Sequence, residues 1–150
     1  MQIDQLIIKL NWFYSLELTQ VDLYTAQSKN VEDVYLKNTL KRVAVIEQQH
    51  VDNIADKIKE LGYSPAVTRD IVAPFLGKIA GKIISKTGII NLLKINITLE
   101  KKAMKDYKKF IKNVSKSSKG LADVLWANLI DEDLHTAWFN SKIKQIKNKN

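Results

Sequence analysis

The chain has no cysteine and few residues that interrupt helices. The lack of cysteine excludes disulfides, a thiolate-bound zinc ion and an iron–sulfur cluster, so any metal must be bound by carboxylates and imidazoles. Only two prolines and five glycines occur in 150 residues, and both prolines fall within one short stretch, at Pro65 and Pro74. The rest of the chain can therefore form long helices. No stretch sustains an alternation of polar and apolar residues, and we predict an all-α protein.

Long hydrophobic runs are also missing. The longest uncharged apolar stretches, near residues 71–77 and 87–93, have about seven residues each, whereas a transmembrane helix needs roughly 20. The first residues lack a basic segment followed by an apolar run, so no secretory signal is expected and we predict a cytoplasmic protein. The net charge is +8, but the lysines are spread over helix faces and a basic tail at about 144–150. We therefore do not expect nucleic-acid binding.

Apolar residues recur at helical spacing in four segments. We expect Asp4 and Asn30 to cap the first two helices, Gly62 to end the second, and Ser117 or Ser118 to begin the fourth. The predicted helices span about residues 4–28, 31–61, 88–114 and 118–147.

The connections between these helices differ in length. The first and third connections are short, which predicts two antiparallel helical hairpins, whereas about 62–87 is a long, partly helical crossover between helices 2 and 3. Two hairpins with one long crossover define the connectivity of a ferritin-like four-helix bundle. We expect residues 1–150 to form one domain, as their number suggests.

Each apolar stripe is interrupted by one glutamate near the middle of its helix. A buried carboxylate costs several kcal/mol unless a cation, a proton or a hydrogen-bonding partner compensates for it. Both histidines of the chain follow one of these glutamates by three residues, which places the two side chains on one helix face. Buried Glu–His or Glu–Lys pairs are the alternative, but the pattern favours metal ligands, namely Glu17, Glu47, His50, Glu100, Glu132 and His135.

The two halves of the sequence repeat this pattern. Glu17 and Glu100 are 83 residues apart, and so are Tyr24 and Tyr107, while 85 residues separate the two Glu-x-x-His motifs. The repeat predicts two equivalent metal half-sites. Tyr24 and Tyr107 are expected near the metal, where they would donate a hydrogen bond to a ligand or pass an electron or proton; filling of the core is the alternative role.

This pattern resembles the ferritin-like di-iron carboxylate superfamily, which includes bacterioferritins, rubrerythrins and demethoxyubiquinone hydroxylases. In that superfamily two helices each supply a glutamate and the other two each supply Glu-x-x-His. The resemblance implies two iron ions, with manganese as the alternative metal. It also implies that Glu47 and Glu132 bridge the ions, that Glu17 and Glu100 are terminal ligands, and that each histidine binds one ion.

The resemblance leaves several reactions open. Rubrerythrins have an additional carboxylate at the position of Ala103 and usually a cysteine-ligated iron domain, and both are missing here. Our main interpretation is an oxidoreductase that reacts with dioxygen or peroxide and an unidentified electron donor, as a hydroxylase of an apolar substrate would. The alternatives are a ferroxidase or iron-handling protein, and a non-catalytic protein that the metal stabilises or that associates with membranes.

The segment 71–97 is amphipathic and basic, with Lys78, Lys82 and Lys86 at four-residue steps. We interpret it as a helix that packs over the bundle or in the interface of a homodimer. The alternative is a peripheral contact with an anionic membrane surface.

Overall fold

The computed structural model describes residues 2–68, 86–115 and 118–148. These residues form four α-helices, which confirms the all-α class. In chain order the helices are α1 (Ile3–Asn30), α2 (Val34–Glu60), α3 (Lys86–Val114) and α4 (Lys119–Asn148).

The described residues divide into two compact units, and each is a pair of helices. In the first unit α1 packs along α2, and in the second α3 packs along α4. The short connection in the first unit makes this pair a hairpin, as the sequence predicted. The helix faces that hold the apolar stripes are buried, with fully buried side chains at Leu10, Phe13, Leu36, Leu40 and Ile54 in the first unit and at Leu93, Tyr107, Leu125 and Phe139 in the second.

Two predicted helix caps are wrong. α1 begins at Ile3, so Asp4 lies in the first turn rather than at the N-cap. Its negative charge there interacts favourably with the helix dipole. α2 begins three residues later than expected because Asp33 is its N-cap, and the carboxylate of Asp33 accepts a hydrogen bond from the Leu36 amide at 2.6 Å. Asn30 instead extends α1, and its side-chain amide donates to the Ala26 carbonyl at 2.9 Å.

Gly62 ends α2, as predicted. Its φ of +84° belongs to the left-handed region that glycine adopts without steric cost. The Gly62 amide donates to the Lys59 carbonyl at 2.8 Å, and the Tyr63 amide donates to the Ile58 carbonyl at 3.1 Å. These bonds satisfy carbonyl groups of the last helical turn and turn the chain away from the helix axis.

Residues 63–68, the described start of the predicted crossover, are bound to α1 by side chains of that helix. The Ala66 amide donates to Asn11 Oδ1 at 2.8 Å, and the Thr68 amide donates to Ser15 Oγ at 2.7 Å. The remainder of the crossover up to residue 85, including Lys78 and Lys82, lies outside the described residues. The end of the amphipathic segment 71–97 belongs to α3. In the ranges that the structure describes, no helix is long and apolar enough to cross a membrane.

Candidate metal centre

The first unit contains a buried cluster of two carboxylates and an imidazole. Glu17 lies at the middle of α1, and Glu47 and His50 lie one turn apart on the inner face of α2. All three side chains are buried, with exposed fractions of 0, 0 and 1%. His50 Nδ1 is 3.0 Å from Glu47 Oε2 and 3.6 Å from Glu17 Oε2. One possible ligand atom from each of the three residues lies within 4.8 Å of the other two.

The second unit contains the corresponding cluster. Glu100 is at the middle of α3, and Glu132 and His135 are one turn apart on α4. His135 Nδ1 is 3.4 Å from Glu132 Oε2 and 3.7 Å from Glu100 Oε1. Ligand atoms of these three residues also lie within 4.8 Å of one another. Each unit therefore brings its three predicted ligands together, and in both clusters the histidine turns the same nitrogen towards the carboxylates.

The position of each cluster follows from the helix periodicity. Because residues three and four apart share a helix face, a glutamate and a histidine in the sequence Glu-x-x-His point in the same direction. Apolar side chains are buried near the predicted ligands on this face, such as Val43 and Ile54 on α2 and Leu125 and Phe139 on α4. Such surroundings limit the access of water to the carboxylates and imidazoles.

Burial changes the acid–base behaviour of Glu100. Removal from water raises the pKa of its carboxyl group well above the usual 4.5, and the neighbouring Glu132 raises it further through its charge and a hydrogen bond. His135 opposes this effect through a hydrogen bond and its charge. A carboxylate in this position is therefore costly to ionise unless a cation lies beside it.

A buried hydrogen bond adjoins the second cluster. The side-chain amide of Asn128, one turn before Glu132, donates to the hydroxyl oxygen of Tyr107 at 3.1 Å, and both residues are fully buried. Tyr24 is also fully buried, one turn beyond Gln20 on α1. Both tyrosines were predicted from the sequence to lie near the site, whereas Asn128 was not. The signal available in the sequence was a side-chain amide one helical turn before a predicted ligand, on a mostly apolar helix face.

The donor atoms of the two clusters suit a hard or borderline divalent metal. Carboxylate oxygen and imidazole nitrogen are preferred by iron and manganese, and thiolates are absent. Each cluster contributes two carboxylates, whose charges equal that of one divalent ion. The chemistry of the residues therefore fits one ion per unit.

Four long helices whose inner faces carry repeated carboxylate–histidine clusters define a class of helical metal-binding proteins. The ferritin-like domain family matches residues 7–148, almost the whole chain, and the protein belongs to this family. The predicted fold, a ferritin-like four-helix bundle, is thereby confirmed.

Individual relatives agree with this membership. A curated bacterioferritin from Desulfovibrio desulfuricans is 23% identical over 143 residues, which cover 93% of this chain and 74% of the relative. Among solved structures, a Desulfovibrio desulfuricans bacterioferritin with a diiron site in different catalytic states matches with a TM-score of 0.79 and 22% identity, covering 97% of this chain and 81% of the other. A dodecameric thioferritin, the bacterioferritin-related protein of Bacteroides fragilis, matches with a TM-score of 0.82 and 20% identity over 99% and 92% of the two chains.

Proposed function

We propose that this protein is a ferroxidase that binds two ferrous ions and oxidises them with dioxygen or peroxide. The observation that carries the proposal is the pair of buried clusters, each with two carboxylates and one imidazole within 4.8 Å of one another. With dioxygen, each ferrous ion gives up one electron, and dioxygen takes both electrons and two protons to become hydrogen peroxide. Manganese is the alternative metal for the same ligands.

The proposed ligands have distinct roles. By the family resemblance, Glu47 and Glu132 would each contribute to holding both ions, and Glu17 and Glu100 would each hold one. His50 and His135 would each hold one ion, and in both residues Nδ1 is the nitrogen that faces the carboxylates. Metal binding displaces the proton that burial favours on Glu100, since the charge of the ion compensates for that of the carboxylate.

Tyr107 is a positioning residue in this proposal. Its hydroxyl oxygen accepts a hydrogen bond from Asn128, which fixes the direction of the phenol ring and leaves the O–H group to act as a donor. A donor held in this way can orient a neighbouring carboxylate or deliver a proton. Tyr24 has the same sequence distance from Glu17 that Tyr107 has from Glu100, and we propose the same role for it.

The relatives support iron oxidation more than hydroxylation of an apolar substrate. The similar proteins are bacterioferritins and a bacterioferritin-related thioferritin, and one of them has a diiron site. Our main expectation from the sequence was an oxidoreductase that reacts with dioxygen or peroxide, and its finer part, hydroxylation of an apolar substrate, receives no support from them. The iron-handling alternative is therefore the function that we propose.

We further propose that the two units form one domain and that the protein works in the cytoplasm as a homo-oligomer. The thioferritin is a dodecamer, so an assembly larger than the expected homodimer is consistent with the family.

The test is anaerobic addition of ferrous iron to the purified chain, followed by air. We expect two ions per chain and an oxygen-dependent rise in near-ultraviolet absorbance. Glu47→Ala and His135→Ala should reduce both the metal content and the rate. The remaining two glutamates of the chain, Glu32 and Glu60, are exposed and provide matched controls, so Glu32→Ala and Glu60→Ala should behave as the unmodified protein does.

Two results would contradict the proposal. The first is a metal content of zero, or a metal content that falls equally in Glu47→Ala and in Glu60→Ala. The other is full loading with two ions and no change on exposure to oxygen or peroxide, which would make the metal a structural element only.

A further inference from the structure

The sequence contains two methionines, and Met104 is the one that follows Met1. Met104 lies one turn after Glu100 on α3, so the two side chains share a helix face. Thr136 has the same relation to Glu132 on α4, and it directly follows His135. A thioether and a hydroxyl group therefore lie on the helix faces that carry the predicted metal ligands of the second unit.

A hydrogen bond joins Met104 to Thr136 across these two helices. The Thr136 hydroxyl donates to Met104 Sδ at 3.9 Å, with Thr136 buried and Met104 half-buried. Because helical side chains lean towards the N-terminal end of their helix, Met104 leans towards the turn of Glu100 and Thr136 towards the turn of Glu132. Their contact therefore lies at the level of the second cluster.

The chemistry of the thioether differs from that of the predicted ligands. Sulfur is a soft donor, whereas the carboxylates and imidazoles of the cluster suit iron or manganese without it. A methionine side chain does, however, take up an oxygen atom readily, and the resulting sulfoxide can be reduced again. Met104 thus brings a reversibly oxidisable group to the level of a centre that we propose to react with dioxygen.

We propose that Met104 is a sacrificial oxidation site, which reacts with hydrogen peroxide formed at the metal centre and thereby spares His135. This role rests on the proposed ferroxidase function, which supplies the peroxide. The sulfur gives an electron pair to one peroxide oxygen, the O–O bond breaks, and the other oxygen leaves as water with both protons. The sulfur is oxidised to the sulfoxide and the peroxide is reduced. The sulfoxide oxygen then accepts the hydrogen bond from Thr136.

The test is peptide mass spectrometry of the full chain after repeated small additions of ferrous iron in air, with catalase present to destroy peroxide in solution. We expect Met104 to gain one oxygen atom, and we expect no gain when iron is left out. Lys112→Met is the control, because it introduces a methionine at an exposed position about 12 Å further along α3. This introduced methionine should stay reduced while catalase is present.

Variants of Met104 and Thr136 test the two roles separately. Met104→Leu has a similar volume but cannot take up oxygen, so oxygen gain at His135 should rise for the same amount of iron oxidised. Thr136→Val removes the hydroxyl that holds the sulfur, so less Met104 should be oxidised, whereas Thr136→Ser retains the hydroxyl and should restore the oxidation. The number of ions per chain should stay unchanged in all three variants, because neither residue is a proposed ligand.

Three outcomes would overturn the proposal. Equal oxidation of Met104 and the methionine introduced by Lys112→Met, with catalase present, would mean damage by oxidants in solution. A normal rise in near-ultraviolet absorbance with Met104 left unchanged would mean that the thioether only packs. No increase at His135 in Met104→Leu would remove the protective role. The absence of any absorbance rise is a different result, because it would contradict the ferroxidase function and, with it, the source of the peroxide.

Discussion

At the scale of the residue, the buried carboxylates lower the stability of the metal-free protein but would favour the binding of a metal ion. Glu100 is fully buried beside Glu132, and its pKa is raised above 4.5 because ionisation there is opposed by both burial and like charge. A protein gains nothing in stability from such a group without a cation. The arrangement is therefore a cost of folding that a bound cation would offset.

We predict that Glu100→Gln stabilises the metal-free protein and weakens metal binding. The neutral amide has nearly the same shape but no charge to bury, so the midpoint of thermal unfolding at pH 7 should rise by a few degrees. A raised pKa in the folded state means that the cost of Glu100 appears as pH rises above about 4.5 and is absent below it. The gain should thus vanish when unfolding is measured under more acidic conditions.

Glu60→Gln is the control for this prediction, because Glu60 is exposed and pairs with Lys57 at the surface. A lower unfolding midpoint for metal-free Glu100→Gln, at neutral pH, would show instead that the carboxylate makes favourable contacts in the metal-free protein.

Asn128 and Tyr107 provide a second prediction at this scale. Tyr107→Phe removes the hydroxyl oxygen that accepts a hydrogen bond from the buried Asn128 amide, which should cost about 1–3 kcal/mol in the free energy of unfolding. Adding Asn128→Leu should restore part of this loss, since both polar groups are then gone. Urea unfolding of the two single variants and the double variant measures the coupling, and additive effects would contradict it.

The same variants test the positioning role of Tyr107. If the phenol orients a ligand or delivers a proton, Tyr107→Phe should slow iron oxidation while the number of ions per chain stays at the value of the unmodified protein. Asn128→Leu alone should slow the rate less, because the hydroxyl group remains. An unchanged oxidation rate in Tyr107→Phe would limit the residue to packing.

At the scale of the element, the helix ends depend on single side chains. Asp33→Ala removes the N-cap of α2 and should cost about 1 kcal/mol in the free energy of unfolding. The neighbouring exposed Glu32 makes a suitable control, because Glu32→Ala removes the same charge but no cap. Urea unfolding should separate the two variants, and equal losses would mean that the effect is electrostatic rather than a lost hydrogen bond.

The segment 63–68 gives another prediction at this scale. Two residues of extended chain advance about 6.6 Å and four residues of helix about 6.0 Å, so amides at Ala66 and Thr68 match acceptors at Asn11 and Ser15. Asn11→Ala combined with Ser15→Ala should therefore release the segment, with faster hydrogen exchange at both amides and faster proteolysis there. Thr39→Ala, whose hydroxyl bonds only within α2, should change neither.

These elements also show which features could be predicted from sequence. The clustering of the carboxylates and imidazoles was predictable because a glutamate on an apolar helix face and a fixed spacing to histidine are both local signals. The start of α2 was misplaced because Asn30 and Asp33 are both good caps, and the choice between them depends on how α1 ends. The hydrogen bonds from Ala66 to Asn11 and from Asn128 to Tyr107 join segments that are distant in sequence. Their pairing follows from tertiary packing that no local pattern encodes.

At the scale of the whole molecule, the repeated half-sites lead to a prediction about how the two ions depend on each other. In our proposal each histidine serves one ion, whereas Glu47 and Glu132 serve both. His50→Ala should therefore leave one tightly bound ion per chain, and His135→Ala should do the same. Glu47→Ala and Glu132→Ala should weaken both ions, because each removes a ligand from both coordination spheres.

Titration with manganous ion under anaerobic conditions measures the two affinities without oxidation. Thermal unfolding with and without the ion gives an independent measure, because an ion that binds only the folded chain raises the midpoint. If the clusters bound their ions separately, Glu47→Ala would reduce the stoichiometry by one and leave the other affinity unchanged, and so would Glu132→Ala. Loss of affinity for both ions in either variant is thus the result that distinguishes one shared centre from two independent sites. We expect this result from the proposed ligand roles and not from the fold alone.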